Sequence, residues 1–480
     1  MIFLGIDVGT TGTKVLAVDE RGRVLGRGYR EYSLEFPQPG WVTQDAADWW
    51  QACVEAVRAA LPGVDAHQVA AIGLSTQGAT MLPVDANGRP LCPALTWMDR
   101  RAQRESDELI AAIGEEALYH KAGWPPAPWL DAPKIAWLRR NQPEVFKTAA
   151  LFVSTLEFMN FHLTGRWAID PTNAAIRQLM DIHTGRWDAE ILRFLDLNET
   201  RLPEILPSGA CLGILTEETA KALGLPRVKV YNGAHDQYCA AMGSGVHGPG
   251  ELLLATGTTW VTLGVTDKPC YTASRLCPGP FPLIGRYGVM ASMVSAGSAL
   301  KWWKGIAGGS YADMDRGAAS RRESAADLLF YPYVAGAGAL HPPGERAAVI
   351  GMTLRHDQYD LARALMEGVA FETRLLLEEF ARQGIEPGTL IMTGGAAGSR
   401  LWSEIVGQVT GRAIVHTEET EGACLGAAML AAVGEGIFAD LNSCAAAMVR
   451  RRPFASADDS QQAFEFYEEK FYRYRNEGLI

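Results

Sequence analysis

The feature that most restricts how this chain can fold is a strand–turn–strand unit that occurs twice. At the start, Phe3-Leu-Gly-Ile-Asp7-Val-Gly9-Thr10-Thr11-Gly12-Thr13-Lys14-Val15 runs an apolar strand into a Gly/Thr turn and out along a second strand. Near position 250, Leu252-Leu-Leu-Ala255-Thr256-Gly257-Thr258-Thr259-Trp260 repeats the pattern. Laid over each other, Gly9-Thr10-Thr11 matches Gly257-Thr258-Thr259, and Asp7 falls opposite Ala255. A unit repeated once per half argues for two similar domains gripping one ligand from both sides. The turn chemistry points to phosphate. Gly9 and Gly12 let backbone N–H groups approach oxygen atoms closely. Thr10, Thr11 and Thr13 add hydroxyl donors, and Lys14 adds a point charge. Asp7, at the carboxyl end of an apolar strand, is placed to hold a hydrated Mg²⁺, and only the first half carries it. Taken alone, either unit is equally a hairpin whose Thr residues suit strands and whose Gly residues suit turns.

The rest of the chain narrows the reading. At 480 residues it exceeds one ordinary core, so two large domains are expected. Their seam is expected where Gly243-Ser-Gly-Val-His-Gly-Pro-Gly250 breaks regular structure, giving halves 1–245 and 246–480. A formal net charge of −11 argues against a nucleic-acid partner. No basic segment precedes the first apolar run, which Asp7 interrupts, and no apolar stretch is long enough for a bilayer. The eight cysteines are scattered, with no C-x-x-C pair, and read as free thiols in a reducing compartment. The expectation is a cytoplasmic protein without a membrane partner.

Strands and helices alternate through both halves. A third strand is expected from Val24 to Tyr29, and a helix over Asp45 to Leu61 with Asp45 as N-cap. Strands are expected at Val69 to Ser75 and Ala79 to Val84, joined through Thr76-Gln77-Gly78. In the second half a helix spans about Tyr359 to Arg382, then a strand at Thr389 to Met392 and a helix over Ser399 to Thr410. Hairpins mixed with helix-bearing strands imply an α/β fold with mixed sheets flanked by helices. The formal G-x-G-x-x-G at Gly243, Gly245 and Gly248 follows a helical stretch rather than a strand, and so is no dinucleotide fingerprint. No Gly-Lys dipeptide occurs, which excludes a Walker A loop.

A candidate general base stands in Tyr231-Asn-Gly233-Ala-His235-Asp236-Gln237, where a strand passes through a Gly turn into a small-residue helix. A carboxylate fixed there can orient an alcohol and accept its proton during phosphoryl transfer. Asp at a helix start is more often a simple N-cap, and on these residues alone that reading has the edge. His235 and Cys239 nearby are too few for a metal centre.

Seven segments, in order, carry a resemblance across nearly the whole chain. They are Gly5-Ile-Asp7-Val-Gly-Thr10-Thr11, Gly40-Trp41-Val-Thr-Gln-Asp45, Ala94-Leu-Thr-Trp97-Met-Asp99-Arg100 and Gly351-Met-Thr-Leu-Arg-His356. Leu361 to Phe371, Gly394-Gly395-Ala396-Ala-Gly-Ser399 to Trp402, and Glu421 to Met429 complete the set. The chain resembles the FGGY family of carbohydrate kinases, whose fold is two actin-like (ribonuclease H-like) domains closing over ATP and sugar. The resemblance implies that Asp236 is the catalytic base and that Asp7, with Asp236, holds Mg²⁺. It implies that Thr10, Thr11, Thr13 and Lys14 sit by the transferred phosphate, with Gly257 and Thr258 forming the second phosphate loop. Gly394, Gly395, Ala396 and Ser399 resemble the adenosine-binding turn. Trp97, Asp99 and the Trp41 to Asp45 segment resemble the sugar-pocket lining, with Trp41 and Trp97 equally readable as core packing. Gln77, Gly78 and Gln237 fall where family members read their substrate. After the strand that ends at Ser75, xylulose kinases usually carry Gln-Met-His-Gly and glycerol kinases Asn-Gln-Arg-Glu, whereas this chain reads Ser75-Thr76-Gln77-Gly78-Ala79-Thr80 and lacks both the His and the Arg–Glu pair. The bare Gly78 and Ala79 imply either a roomier pocket or different readers. Lys134 and Trp137 lie in a family signature that Trp129 and Asp131 fit poorly, and no role is assigned there. The implied activity is ATP-dependent phosphorylation of a ketose, D-xylulose first, with other sugars, glycerol or tetritols as alternatives. A non-catalytic nucleotide or sugar sensor is the reading from a different class. Oligomeric state, a homodimer included, is left open.

Overall fold

Near-continuous burial, on both faces of the opening strand, marks Ile2–Val8 (β1) as the centre of a sheet rather than its edge. The computed structural model describes all residues except 273–275, 283–284, 337, 339, 342–343, 457–460 and 478–480. From β1 the chain folds back through Gly12–Asp19 (β2) and Val24–Glu31 (β3) as an antiparallel meander. Helix Ala46–Ala60 (α1) follows, capped by the Asp45 side chain as its N-terminal sequence predicts. It returns the chain to Val69–Thr76 (β4), parallel to β1. The short helix Pro171–Ile176 (α2), edge strand Cys211–Ile214 (β5) and Lys229–His235 (β6) complete the half, with sheet order β5-β6-β4-β1-β2-β3.

The second sheet repeats this plan. After helix Asp236–Gly243 (α3), strands Glu251–Thr256 (β7) and Trp260–Thr266 (β8) form the matching hairpin. Cys277–Pro280 (β9) and Tyr287–Met293 (β10) extend its antiparallel side. Helices Gly297–Ala307 (α4) and Gln358–Arg382 (α5) lead to Thr389–Gly394 (β11), parallel to β7 as β4 is to β1. Helix Arg400–Thr410 (α6), strand Ala413–Thr417 (β12), helix Gly422–Gly434 (α7) and edge strand Arg451–Pro453 (β13) close the half. Its order is β9-β10-β8-β7-β11-β12-β13. The short sequence repeat is thus the start of a repeated topology.

Helix α7 belongs to the second half in sequence yet packs against β1, β4 and α3 of the first. Glycines permit this. A Cβ on Gly5 of β1 would lie 1.8 Å from the Cys424 carbonyl oxygen, and one on Gly73 of β4 would lie 2.0 Å from that of Ala427. At the crossing of α3 and α7, a Cβ on Gly243 would meet the Gly422 oxygen at 1.9 Å, and one on Gly426 the Cys239 oxygen at 2.0 Å. Two helix backbones therefore touch directly where the two sheets meet.

One expected strand differs. The pairing place beside β4 is taken by β6, so the segment after Gly78 leaves this sheet. Ala79 turns through a positive φ of 48°, and Met81–Val84 joins a separate four-stranded sheet. Among the described residues no helix is long and apolar enough to cross a membrane.

Candidate active site

Three parallel strands of the first sheet end together, the position at which open α/β sheets bind ligands. Their register places Asp7 of β1 beside Ser75 of β4 and Ser75 beside Ala234 of β6, so His235 pairs with Thr76 one step further on. Asp236 then opens α3. The Ser75 hydroxyl donates to Asp7 Oδ1 at 2.6 Å. Asp7 has its pKa raised to about 7, by burial first and by the neighbouring Asp236 carboxylate second, while Ser75 and Lys14 pull the other way. A carboxyl held hard to ionise by burial and by a neighbouring carboxylate is an arrangement suited to receive positive charge.

The Gly9–Gly12 turn is held rigidly beside this pair. The Gly9 amide donates to the Gly12 carbonyl at 3.1 Å, and the Tyr32 hydroxyl donates to the Gly9 carbonyl at 2.6 Å. Gln44 Nε2 donates to the Thr10 carbonyl at 2.6 Å. The Trp97 indole N–H donates to the Thr10 hydroxyl at 2.9 Å, so Trp97 supports the turn with its polar edge and is not core packing alone. Thr10 is partly open and Thr11 exposed.

Several expected residues are placed elsewhere. Thr13 is fully buried, and strand alternation turns it to the face opposite Asp7 and Lys14, among the residues that meet α1. It cannot reach a phosphate beside Asp7. Lys14 shares the Asp7 face, but its ammonium is bound to Glu421, ahead of α7, at 2.6 Å. Asp99 is fully buried; it accepts from the Val42 amide at 2.7 Å and is gripped by the Arg101 guanidinium at 2.8 Å. It shapes the segment that presents Trp97 and offers the substrate no free oxygen. Trp41 lies edge-on to Trp137 at 5.3 Å under the Arg101 guanidinium, a packing role. Gln77 is buried; its amide nitrogen donates to Gln44 at 3.0 Å while its oxygen has no partner.

On the second half, the Gly257–Thr258 turn is exposed, and α4 starts directly behind it: the Ser298 amide donates to the Thr258 carbonyl at 2.8 Å. The neighbouring strand β11 ends at Gly394, whose φ of 90° and close approach to the Thr256 carbonyl require glycine. The Ala396 amide donates to the Thr256 hydroxyl at 3.1 Å, tying the two expected nucleotide turns together. Gly395 is exposed and Ala396 buried. The Ser399 hydroxyl accepts from the Trp402 amide at 3.0 Å as the N-cap of α6.

Sequence reading missed three supports. Ser75 orients Asp7, and the shared strand face could have revealed it. Lys134, without an assigned role, is fully buried and donates to the carbonyls of Ala79 at 2.7 Å and Leu95 at 3.2 Å, holding the unusual turn after Gly78. Burial lowers its pKa to about 8. Asp131, the misfit in its signature, pairs with the buried Arg177 at 2.7 Å, which also binds Glu157 at 2.9 Å.

Two copies of one sheet plan, meeting at a crossed helix pair with a carboxylate cleft at the strand ends, define the actin-like class of two-domain fold. Models of the FGGY family of carbohydrate kinases match the chain, the N-terminal domain over residues 2–243 and the C-terminal domain over 252–435. The xylulose kinase of Escherichia coli strain K12 is 31% identical over 441 residues, covering 90% of each chain. The glycerol kinase of Bordetella parapertussis is 32% identical over 476 residues, covering 95% of this chain and 92% of that one. The crystal structure of the xylulose kinase from Rhodospirillum rubrum superposes with a TM-score of 0.91 at 26% identity, over 99% of this chain and 98% of the other. The chain belongs to the FGGY family of carbohydrate kinases, and is a sugar-phosphorylating enzyme.

Proposed function

We propose that the protein transfers the γ-phosphoryl group of Mg²⁺ATP to a hydroxyl of a ketose, with D-xylulose as first candidate. The observation that carries this is the electrostatically coupled pair of Asp7, on β1, and Asp236, just past β6, at the carboxyl ends of two strands that flank β4 and beside a Gly/Thr turn. We take 1–245 as the sugar side and 246–480 as the nucleotide side. A role limited to sensing would not require both carboxylates.

The donor set suits Mg²⁺, which keeps most of its waters and takes one or two carboxylates besides phosphate oxygens. Among the described residues no three His, Cys, Asp or Glu side chains form a ready cage, and Asp236 Oδ1 is buried without a hydrogen-bond partner. Asp7 and Asp236 would hold the ion, which when bound neutralises charge on the phosphates. Asp236 accepts the sugar proton late, as the acceptor oxygen bonds to phosphorus in line with the leaving ADP oxygen. Thr10 and Thr11 face the transferred group from one side, and Gly257 and Thr258 from the other. Gly394, Gly395 and Ala396 leave room for adenosine against backbone. Closure of the halves excludes water, so the sugar rather than water attacks.

Sugar-dependent ADP release across ketopentoses, ketohexoses, aldonates, glycerol and tetritols tests this reading. One preferred acceptor is expected; ATP binding with no stimulation by any of them would favour the sensor. Replacing Trp97 by Phe keeps the ring and removes its bond to Thr10. A loss of about 1 kcal/mol is expected, roughly fivefold in kcat/KM.

Asp7 also predicts a pH effect on the ligand-free protein. Its folded pKa of about 7 exceeds the ordinary 3.8, so its stabilising contribution is full below pH 4 and is lost as pH rises through 7. Asp7→Asn is therefore expected to melt higher than wild type at pH 8, by on the order of 2 kcal/mol after discounting its solvent contact, and equally near pH 4. The same variant should lose Mg²⁺-dependent nucleotide binding; an unchanged Mg²⁺ titration would contradict the metal role.

A further inference from the structure

The bare Gly78 and Ala79 leave open whether the sugar pocket is enlarged or furnished differently, and the packing of one imidazole answers this. The His235 ring occupies the space over Gly78: a Cβ on Gly78 would lie 2.5 Å from His235 Cδ2, 2.8 Å from Nε2 and 3.0 Å from Ile176 Cγ2. Any side chain at position 78 excludes the ring, so Gly78 and His235 are one device. His235 is 6% exposed. Its backbone is pinned, because its amide donates to the Thr172 hydroxyl at 2.8 Å and that hydroxyl donates to the buried Asp170 at 2.6 Å. The ring itself has no such anchor. Nδ1 is buried without a partner, and Nε2 lies 3.3 Å from Asp236 Oδ1, which is also unpartnered. That separation is beyond a good N–H···O bond. Leaving buried polar atoms unpaired costs on the order of 1–3 kcal/mol each. Thr76 Oγ1 at the end of β4, Gln77 Oε1 just past it and Gln237 Oε1 in the first turn of α3 are also buried and unpaired. Unsatisfied groups at the paired ends of β4 and β6 and at the head of α3, next to Asp236 in the chain, suit a polyhydroxylated ligand.

Resting on the kinase reading above, we propose that His235 is a specificity-determining residue that binds the hydroxyl next to the one being phosphorylated. The ring nitrogen and the base oxygen stand side by side, as the two oxygens of a 1,2-diol do. The acceptor hydroxyl takes Asp236 and its vicinal neighbour takes His235. The substrate class is an open-chain sugar or polyol ending in such a diol, and the pocket is refurnished rather than enlarged. Deleting the neighbouring hydroxyl leaves the imidazole buried and unpaired, which is how a polar site rejects a deoxy analogue.

The test compares kcat/KM for two pairs, D-xylulose with 4-deoxypentulose and glycerol with 1,3-propanediol, using whichever parent the wild-type enzyme phosphorylates. Wild type should prefer the parent diol by about 100-fold or more. His235→Ala should lose most of that ratio, dropping the diol by about 100-fold while the deoxy analogue changes only a few-fold. Gly78→Ala, which keeps every polar group but displaces the ring, should lose the same ratio, and His235→Gln should restore part of it. Equal losses on both members of a pair would overturn the proposal and leave His235 a mere support of Asp236. An unchanged ratio would overturn it as well. No turnover of either parent, or of any sugar in the wider panel, would overturn the kinase reading itself.

Discussion

Asp236→Asn should lower kcat by about 10³-fold while leaving ATP affinity within a few-fold of wild type. The substitution keeps the volume and the position at the head of α3 but replaces the basic carboxylate with a neutral amide that cannot take up the sugar proton. It also removes one of the two charges that make Asp7 hard to ionise. Two readouts therefore move together: turnover falls, and the apparent pKa of Asp7 drops toward the ordinary carboxylate range. Retained turnover would remove Asp236 from the role of base. A large loss of ATP binding, with turnover following it, would make Asp236 principally a metal ligand.

The second large effect concerns folding. Gly426→Ala places a methyl 2.0 Å from the Cys239 carbonyl oxygen, with the Cys239 carbonyl carbon at 2.7 Å and Cα at 3.0 Å. All three are backbone atoms of α3, so no rotamer change relieves the clash. Overpacking of ordinary cores costs about 1–3 kcal/mol. Here two helices must separate, and a loss at or above the top of that range is expected in urea melts. Gly243→Ala should act similarly, since its methyl meets the Gly422 carbonyl oxygen at 1.9 Å. The double variant should cost less than the sum, because either methyl alone already forces the helices apart. Strict additivity would show that the two contacts relax independently.

Much of the fold was legible because strand, turn and cap signals are local. The Gly9–Gly12 turn, the Asp45 cap and the strand running into Asp236 each declare themselves within ten residues. Thr13 was misplaced because the turn's hydroxyls were counted without the two-residue alternation that sends it behind the sheet. Motif position suggests the pocket for Asp99 and leaves Trp41 between pocket and packing, whereas in the fold Arg101 binds the one and stacks on the other. His235 could not be read at all: its meaning depends on Gly78, a neighbour in space and remote in the chain. The break at Ala79 was equally hidden, since Lys134 and the competing pairing of β6 decide it.

The placement of α7 bears on how the chain is made. The face of the first sheet that carries Gly5 and Gly73 is covered by residues 422–434, which leave the ribosome long after β1, β4 and β6 have emerged. Until then Phe3, Leu16 and Tyr231 on that face lack the cover that Cys424, Leu425 and Ala428 provide in the finished protein. A chain that ended after α3 would leave this glycine-floored trough open, with its apolar residues exposed as surface prone to self-association. Completion of the first half is thus an event of late synthesis, and the two halves mature as one.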